Sequence, residues 1–99
     1  MSRLFVTYPA GAGAQFDRAY YVGSHLPLVE QQWGPFGLLS AQAYFPDGAD
    51  AAEVAIAVLT FSDETAIGAA LASPATPIVL GDLENFTNIA PELSRGVAP

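Results

Sequence analysis

The sequence predicts one α+β domain over residues 1–99, with elements in the order β-α-β-β-α-β around an antiparallel sheet. Three observations support this prediction. The 99 residues are the usual size of a single domain. Hydrophobic residues make up 52% of the chain, whereas disordered chains are poor in them. Apolar residues recur with a period of two in some segments and at helical spacing in others, which distinguishes strands from helices.

The first strand and helix occupy the N-terminal third of the sequence. Leu4–Tyr8 is a compact β-rich run, and the Pro/Gly-rich segment after it predicts its end. Apolar residues at helical spacing then predict a helix over 15–25. Pro27 lacks the N–H that would bond back to Gly23, so we expect a kink or break there before the helix resumes. Gly34-Pro35 predicts its end.

Two strands, a second helix and a last strand follow. Leu38–Phe45 alternates residues on two faces, as a strand does. A turn leads to Val54–Phe61, which is apolar on both faces and is therefore expected to be covered on both sides. Ser62 is the predicted N-cap of a second helix, which is Ala-rich over 66–72. Leu83–Ile89 alternates again and predicts the last strand, before a Pro/Gly-rich tail.

This order predicts a ferredoxin-like fold in which both helices pack on one face of the sheet. The third strand is nonetheless apolar on its other side, so that side needs a second cover. The simplest cover is the same face of another copy of the chain. We therefore expect a homodimer through the open sheet face, with two sheets facing one another around a small cavity.

Charge and composition exclude several classes of partner. Ten acidic residues stand against three basic ones, all arginine, and the formal net charge is −7. Nucleic-acid binding is disfavoured because phosphate contacts require a Lys/Arg surface, and binding to an anionic membrane is disfavoured for the same reason. The longest uncharged run, Thr65 to Gly81, falls short of the ~20 apolar residues that cross a bilayer. We expect a soluble, cytoplasmic protein.

The sequence also lacks the usual signs of a cofactor. There is no cysteine, which excludes disulfides, a thiolate nucleophile and a cysteine metal site. One histidine cannot make a transition-metal site. Gly11–Phe16 lies between a strand and a helix, as phosphate loops do, but it lacks the last glycine of such a loop, and the chain contains no lysine. No cofactor and no metal are expected.

His25 is the only histidine and the leading acid–base candidate, because its unperturbed pKa lies close to neutral pH. In an unbroken helix Arg18, Tyr21 and His25 share one stripe, separate from the core face assigned to Tyr20 and Gly23. Tyr21 and His25 are then neighbours able to share a proton or a ligand. The alternative is purely structural, since the helix dipole favours a histidine at a helix C-terminus.

Aromatic residues are the candidates for contact with a substrate. Tyr8, Tyr44 and Phe86 are predicted to line a cavity for a small apolar molecule. The alternative is that these residues are core or dimer contacts.

Two segments resemble the EthD domain, a family named after a protein of ethyl tert-butyl ether degradation. Phe16–Val29 is similar to the F-D-x-x-Y-Y-x-x-x-H-x-P-L helix of that family, and Asp82–Thr87 is similar to its D-x-x-N-F-T segment. The segments have the order and spacing of the family, and the resemblance spans essentially the whole chain.

The resemblance implies a ferredoxin-like fold assembled as a dimeric α+β barrel, and it places His25 at the motif histidine. Related barrels include cofactor-free monooxygenases, muconolactone-type isomerases and lyases acting on small cyclic compounds. This chain has no second histidine and no cysteine, which argues against a two-base scheme.

Two functions from different classes remain. The first is a cofactor-independent enzyme acting on a small apolar or cyclic carbonyl or lactone compound, with His25 as acid or base and Tyr21 orienting the substrate or sharing the proton. The second is a non-catalytic accessory protein that binds an apolar compound of an oxygenase or degradation pathway. A purely structural role is a third alternative.

Overall fold

The computed structural model describes residues 1–97. The strands are β1 Ser2–Pro9, β2 Leu38–Tyr44, β3 Glu53–Phe61 and β4 Glu92–Val97. The helices are α1 Arg18–Tyr20, α2 Leu26–Trp33, α3 Glu64–Leu71 and α4 Ala75–Gly81, and a π-helical turn, Tyr21–His25, joins α1 to α2. Short 3₁₀ turns occupy Gly34–Phe36 and Leu83–Asn85. The last two residues of the predicted tail, Ala98 and Pro99, lie outside the described residues.

The four strands form an antiparallel sheet in the spatial order β2-β3-β1-β4, which confirms the ferredoxin-like fold. The pairing of β1 with β3 sets Leu4 opposite Leu59 on the side that the helices cover. On that side β3 is almost completely buried, with Leu59 and Phe61 at most 2% exposed. Burial of each such side chain stabilises the fold by roughly 1.5–3 kcal/mol. The alternating apolar residues therefore stabilise the first three predicted strands.

The first helical segment differs from its prediction in where it begins and in which face it buries. Asp17 is the N-cap of α1, and its carboxylate accepts the backbone N–H of Tyr20 at 3.0 Å. The predicted break at Pro27 is absent, since the backbone stays helical from Arg18 to Trp33 and Pro27 lies directly after the π turn, at the start of α2. Tyr21 and His25 are buried, whereas Gly23 is exposed, so the predicted core face was wrong.

The second predicted helix begins one residue later than expected. Its N-cap is Asp63, not Ser62, and the Asp63 carboxylate accepts the N–H of Ala66 at 2.7 Å. Ser62 instead continues from β3 and donates its backbone N–H to the carbonyl of Gly37 at 3.0 Å. That contact draws Gly37 close to the start of α3, where its φ of +103° suits glycine.

The predicted last strand was also wrong. Leu83–Ile89 contains a 3₁₀ turn, and the side chain of Asn85 donates to Asp82 at 3.0 Å, a local hydrogen bond that competes with strand pairing. The fourth strand is β4, which pairs with β1 at the edge of the sheet. It is exposed along nearly its whole length and therefore has no hydrophobic alternation from which to predict it.

The other face of the sheet is apolar and carries no helix. Phe5 and Val58 pair across β1 and β3 at its centre, beside Ile56, and all three are half-buried. Tyr44 lies on the same face, opposite Ile56, and is 55% exposed. As expected from the sequence, the helices of one chain therefore leave this side without cover.

Among the described residues, no single helix is long and apolar enough to cross a bilayer. Only α3 taken together with the segment Ala75–Asn85 reaches that length, and the two are bent by 72°.

Candidate functional site

The π turn directs two of the sequence candidates into the interior of the molecule. Tyr21 and His25 are 1% and 4% exposed, and their rings stack with centroids 5.5 Å apart and 22° between the planes. The N–H of Leu26 donates to the carbonyl of Tyr21, one residue further back than in an α-helix. π turns of this kind occur frequently at functional sites.

His25 is hydrogen-bonded to a carboxylate that the sequence analysis had not assigned to the site. Its Nδ1 lies 2.9 Å from Oδ2 of Asp82, at the C-terminal end of α4. The two side chains are 5% and 12% exposed. Oδ1 of Asp82 accepts the hydroxyl of Tyr20 at 2.7 Å and the side-chain amide of Asn85 at 3.0 Å. Four side chains thus form one connected polar group at the end of α4.

This environment fixes the charge state of the pair. Burial lowers the pKa of His25 below its ordinary value of 6.5, and the hydrogen bond and charge of Asp82 offset this only in part. Burial raises the pKa of Asp82, but the hydrogen bonds from Asn85, Tyr20 and His25 outweigh it, so the net pKa lies below the ordinary 3.8. At neutral pH His25 is therefore a neutral imidazole whose Nδ1–H donates to a carboxylate.

The remaining ring nitrogen, Nε2, is the one available to a ligand. It makes no hydrogen bond to any of residues 1–97. His25 lines a cavity between the helices and the sheet, and Asp82 lies outside that cavity. A neutral imidazole with its second nitrogen fixed by a carboxylate is the arrangement of a general base.

The cavity is small and largely apolar. About 30 Å³ is open to the centre of a water molecule, which is space for one or two waters. Val6 and Leu59 of the sheet and Val29 of α2 contribute to its walls. Leu80 and Leu93, each 46% exposed, stand at its edge. A ligand larger than a few atoms therefore has to displace these exposed leucines.

Two tyrosines provide polar groups to the cavity besides His25. Tyr8 of β1 and Tyr21 of the π turn both line it, and each is 1% exposed. Burial raises the pKa of Tyr21 to about 12. Burial raises the pKa of Tyr8 as well, with a smaller contribution from the neighbouring Tyr21. Both hydroxyls are therefore protonated and able to donate across the physiological pH range.

The structure brings most, but not all, of the predicted site residues together. Phe86 packs on His25 with ring centroids 4.6 Å apart and supports the imidazole. Tyr44 lies on the open face of the sheet, opposite the side that faces His25. Arg18 is exposed, and its guanidinium lies over Phe45 at 4.7 Å. The His25 group thus contains Tyr8, Tyr21 and Phe86 but not Tyr44.

Two features of the site could not be predicted from single residues. Asp82 is 57 residues from His25 in the sequence, and only its place in the D-x-x-N-F-T resemblance marked it. The cavity at His25 lies on the helix-covered face of the sheet, not between two open faces as expected, because the π turn aims the imidazole toward the sheet.

Within residues 1–97, no group of three or more His, Cys, Asp and Glu side chains is arranged to hold a metal ion.

Comparison with solved structures yields full-length matches. An EthD-like protein from Ralstonia eutropha JMP134 is 29% identical, with a TM-score of 0.81 over 96% of this chain and 88% of that one. An ethyl tert-butyl ether degradation (EthD) family protein from Bacillus halodurans C-125 is 17% identical, with a TM-score of 0.76 over 100% of this chain and 99% of that one.

A more distant match is to a protein described as dimeric. A dimeric ferredoxin-like protein of unknown function from Thermobifida fusca YX is 11% identical, with a TM-score of 0.62 over 98% of this chain and 90% of that one. No protein-family model and no curated protein matches the sequence.

Proposed function

Because this chain belongs to the EthD family, we propose that it converts a small apolar or cyclic carbonyl or lactone compound without a cofactor, using His25 as the acid–base group. The observation that carries the proposal is the hydrogen bond between Asp82 and Nδ1 of His25, which leaves Nε2 available at an apolar cavity. The walls of the cavity are largely apolar, and a low local dielectric strengthens electrostatic stabilisation of the charges that form during proton transfer.

The first chemical step is removal of a proton from carbon next to the carbonyl group. The C–H bond breaks, the proton joins Nε2 of His25, and the electron pair moves onto the carbonyl oxygen. Asp82 stabilises the imidazolium that forms, as a carboxylate does in other His–Asp pairs. Return of the proton to a second carbon gives an isomerase, and loss of a leaving group gives a lyase. Reaction of the carbanion with dioxygen gives a peroxide, which loses one oxygen atom as water and leaves the other as a new carbonyl group, the outcome of a monooxygenase.

Proton exchange tests this step without knowledge of the natural substrate. A panel of small cyclic ketones and lactones is incubated in D₂O with the protein, and loss of the α-proton signal is followed by NMR. We expect exchange by the wild-type protein, and a rate lower by about 10²–10⁴-fold in His25→Gln, the usual contribution of a general base. Tyr44→Phe, on the opposite face of the sheet, is the matched control with an unchanged rate. Equal rates in the wild type and His25→Gln, or no exchange of any compound, would contradict the proposal.

A homodimer through the open sheet face is part of the same proposal. The half-buried residues Phe5, Ile56 and Val58 form an apolar centre that no helix of the chain covers. The description of the Thermobifida fusca neighbour as dimeric supports a homodimer. Sedimentation velocity at micromolar concentration is expected to give the mass of two chains, and a stable monomer would exclude the dimer.

The second candidate function is a non-catalytic accessory protein that holds an apolar compound. The observation in its favour is the scarcity of reactive side chains, with one histidine and no lysine or cysteine in the sequence. Calorimetry with the same panel of compounds separates the two functions. Tight binding with no proton exchange and no product favours the accessory protein, whereas exchange that depends on His25 favours the enzyme.

A further inference from the structure

Tyr8 and Tyr21 both line the cavity, and their hydroxyl groups interact with one another. Apart from this contact with each other, neither hydroxyl hydrogen-bonds to any other of residues 1–97. Among the same residues, every fully buried side-chain oxygen or nitrogen has a hydrogen-bond partner. Each tyrosine is only 1% exposed, so the pair is shielded from bulk solvent. A hydrogen bond between the two hydroxyls uses only one of their two protons, so the other stays available to a ligand in the cavity.

The two rings are held in place by neighbouring aromatic side chains. Tyr8 packs edge-on against Tyr21 with ring centroids 5.6 Å apart and 81° between the planes. Phe16 packs edge-on against Tyr8 at 5.1 Å and lies 5.0 Å from Tyr21. On its other side Tyr21 stacks on His25. The two phenols and the imidazole therefore line one cavity on rings that cannot rotate freely.

We propose that Tyr8 and Tyr21 form a two-donor oxyanion site, which receives the oxygen of an enolisable carbonyl compound while His25 takes the proton from the adjacent carbon. This inference rests on the proposed function and adds to it the groups that hold the substrate oxygen. Two adjacent donors that both turn to the ligand favour an oxygen that gains negative charge during the reaction over one that stays neutral. A ketone, ester or lactone with an acidic α-C–H satisfies both halves of the site, and a hydrocarbon or an ether satisfies neither.

Formation of the enolate requires no further reactant. The α-C–H bond breaks, an N–H bond forms at Nε2 of His25, and the electron pair becomes the lone pair of an enolate oxygen. The tyrosines keep their protons, because burial raises the pKa of both phenols. The apolar walls increase the strength of both hydrogen bonds to that oxygen, since the local dielectric is low.

Binding of a phenolate tests the oxyanion site separately from catalysis. 4-Nitrophenol is the probe, because its phenolate resembles an enolate in charge and its absorbance reports whether the bound form is ionised. Nitrobenzene, which lacks the oxygen anion, is the matched neutral probe. We expect the wild-type protein to bind 4-nitrophenol as the phenolate, and Tyr8→Phe or Tyr21→Phe to weaken that binding by about 10- to 100-fold, the usual value of a hydrogen bond to a charged group. The affinity for nitrobenzene should stay within about twofold in all variants.

Two controls keep the result interpretable. Tyr44→Phe makes the same chemical change on the open face and should leave both affinities unchanged. Circular dichroism and thermal unfolding establish that each variant folds. If Tyr8→Phe does not fold, tyrosine labelled with ¹³C at Cζ in the wild-type protein replaces it, since phenolate binding should shift the signals of Tyr8 and Tyr21 and not that of Tyr44.

The outcomes distinguish this inference from the proposed function. Phenolate binding that depends on both tyrosines, without proton exchange on any carbonyl compound, supports the oxyanion site and contradicts the catalytic proposal. Proton exchange that depends on His25 but not on Tyr8 or Tyr21 supports catalysis and overturns the oxyanion site. Binding of the neutral phenol only, or no binding of either probe at millimolar concentration, also overturns it.

Discussion

The imidazole of His25 and the carboxylate of Asp82 are joined by a 2.9 Å hydrogen bond, although the two residues are 57 positions apart in the sequence. This bond assigns the proton of the imidazole to Nδ1 and leaves Nε2 as the acceptor. It depends on the packing of the π turn against the end of α4, and on Tyr20 and Asn85, which hold the other carboxylate oxygen.

Asp82→Asn should reduce activity while leaving the cavity in place. The amide is close in size to the carboxylate, but its nitrogen presents a donor to His25 and its oxygen carries no full charge, so the imidazole loses its orientation and the stabilisation of its protonated form. We expect the proton-exchange rate to fall by about 10- to 100-fold, as for other residues that orient a functional histidine. The NMR exchange assay measures it, and a wild-type rate in this variant would show that Asp82 does not position His25.

Stability should depend on pH through His25. Its pKa is lower in the folded protein than the ordinary 6.5, so between those two values the unfolded chain binds more protons. The contribution of His25 to the free energy of unfolding is therefore fully present above pH 6.5 and decreases as the pH falls through this window, by about 1.4 kcal/mol for each pH unit. Asp82 affects stability at a lower pH. Its contribution to the free energy of unfolding is present above pH 3.8 and is lost as the pH falls through its lowered pKa.

Urea unfolding across a pH series, compared between the wild type and His25→Gln, measures this dependence. The glutamine variant does not titrate there, so its stability should be nearly constant in the window where that of the wild type falls. Parallel curves for the two proteins would rule out the lowered pKa of His25.

Val58→Lys should prevent dimer formation. Val58 is half-buried at the centre of the open sheet face, opposite Phe5, and an ammonium group there would be buried without a partner in a face-to-face dimer. Sedimentation velocity is expected to show a monomer that retains the wild-type circular dichroism spectrum. Val22→Lys is the matched control, because Val22 is 51% exposed on the π turn. A Val58→Lys protein that remains dimeric would place the interface elsewhere.

Gly37→Ala should destabilise the fold. Gly37 has a φ of +103°, and a Cβ atom there would lie 2.7 Å from Cβ of Ala66 and 2.9 Å from Oγ of Ser62. The backbone strain and the contact together are expected to lower the free energy of unfolding by about 1–3 kcal/mol. Gly11→Ala is the control, since nothing lies within 4 Å of its Cβ position and its φ is not positive. Equal stability of the two variants in urea unfolding would contradict the role given to Gly37.

Local sequence patterns determined the larger part of the fold. Runs of apolar or β-branched residues with the period of two of a strand predict β1, β2 and β3. Such a run predicts a strand whatever its position in the sheet. The apolar residues on both sides of β3 likewise predicted an open face that needs a cover. His25 was the obvious acid–base candidate because it is the only histidine.

Tertiary packing decided what local patterns leave open. β4 is an exposed edge strand, and its backbone pairing with β1 holds it without an apolar pattern. The π turn determines which face of the first helical segment is buried. A prediction from α-helical spacing does not include such a turn. The partner of His25 came from the end of α4, because a side-chain hydrogen bond depends on distance in space and not along the chain. The alternation of apolar residues predicts the first three strands and the open face, and the single histidine is the candidate base. Its carboxylate partner, its tautomer and its cavity depend on contacts between residues distant in the sequence, which only the folded chain brings together.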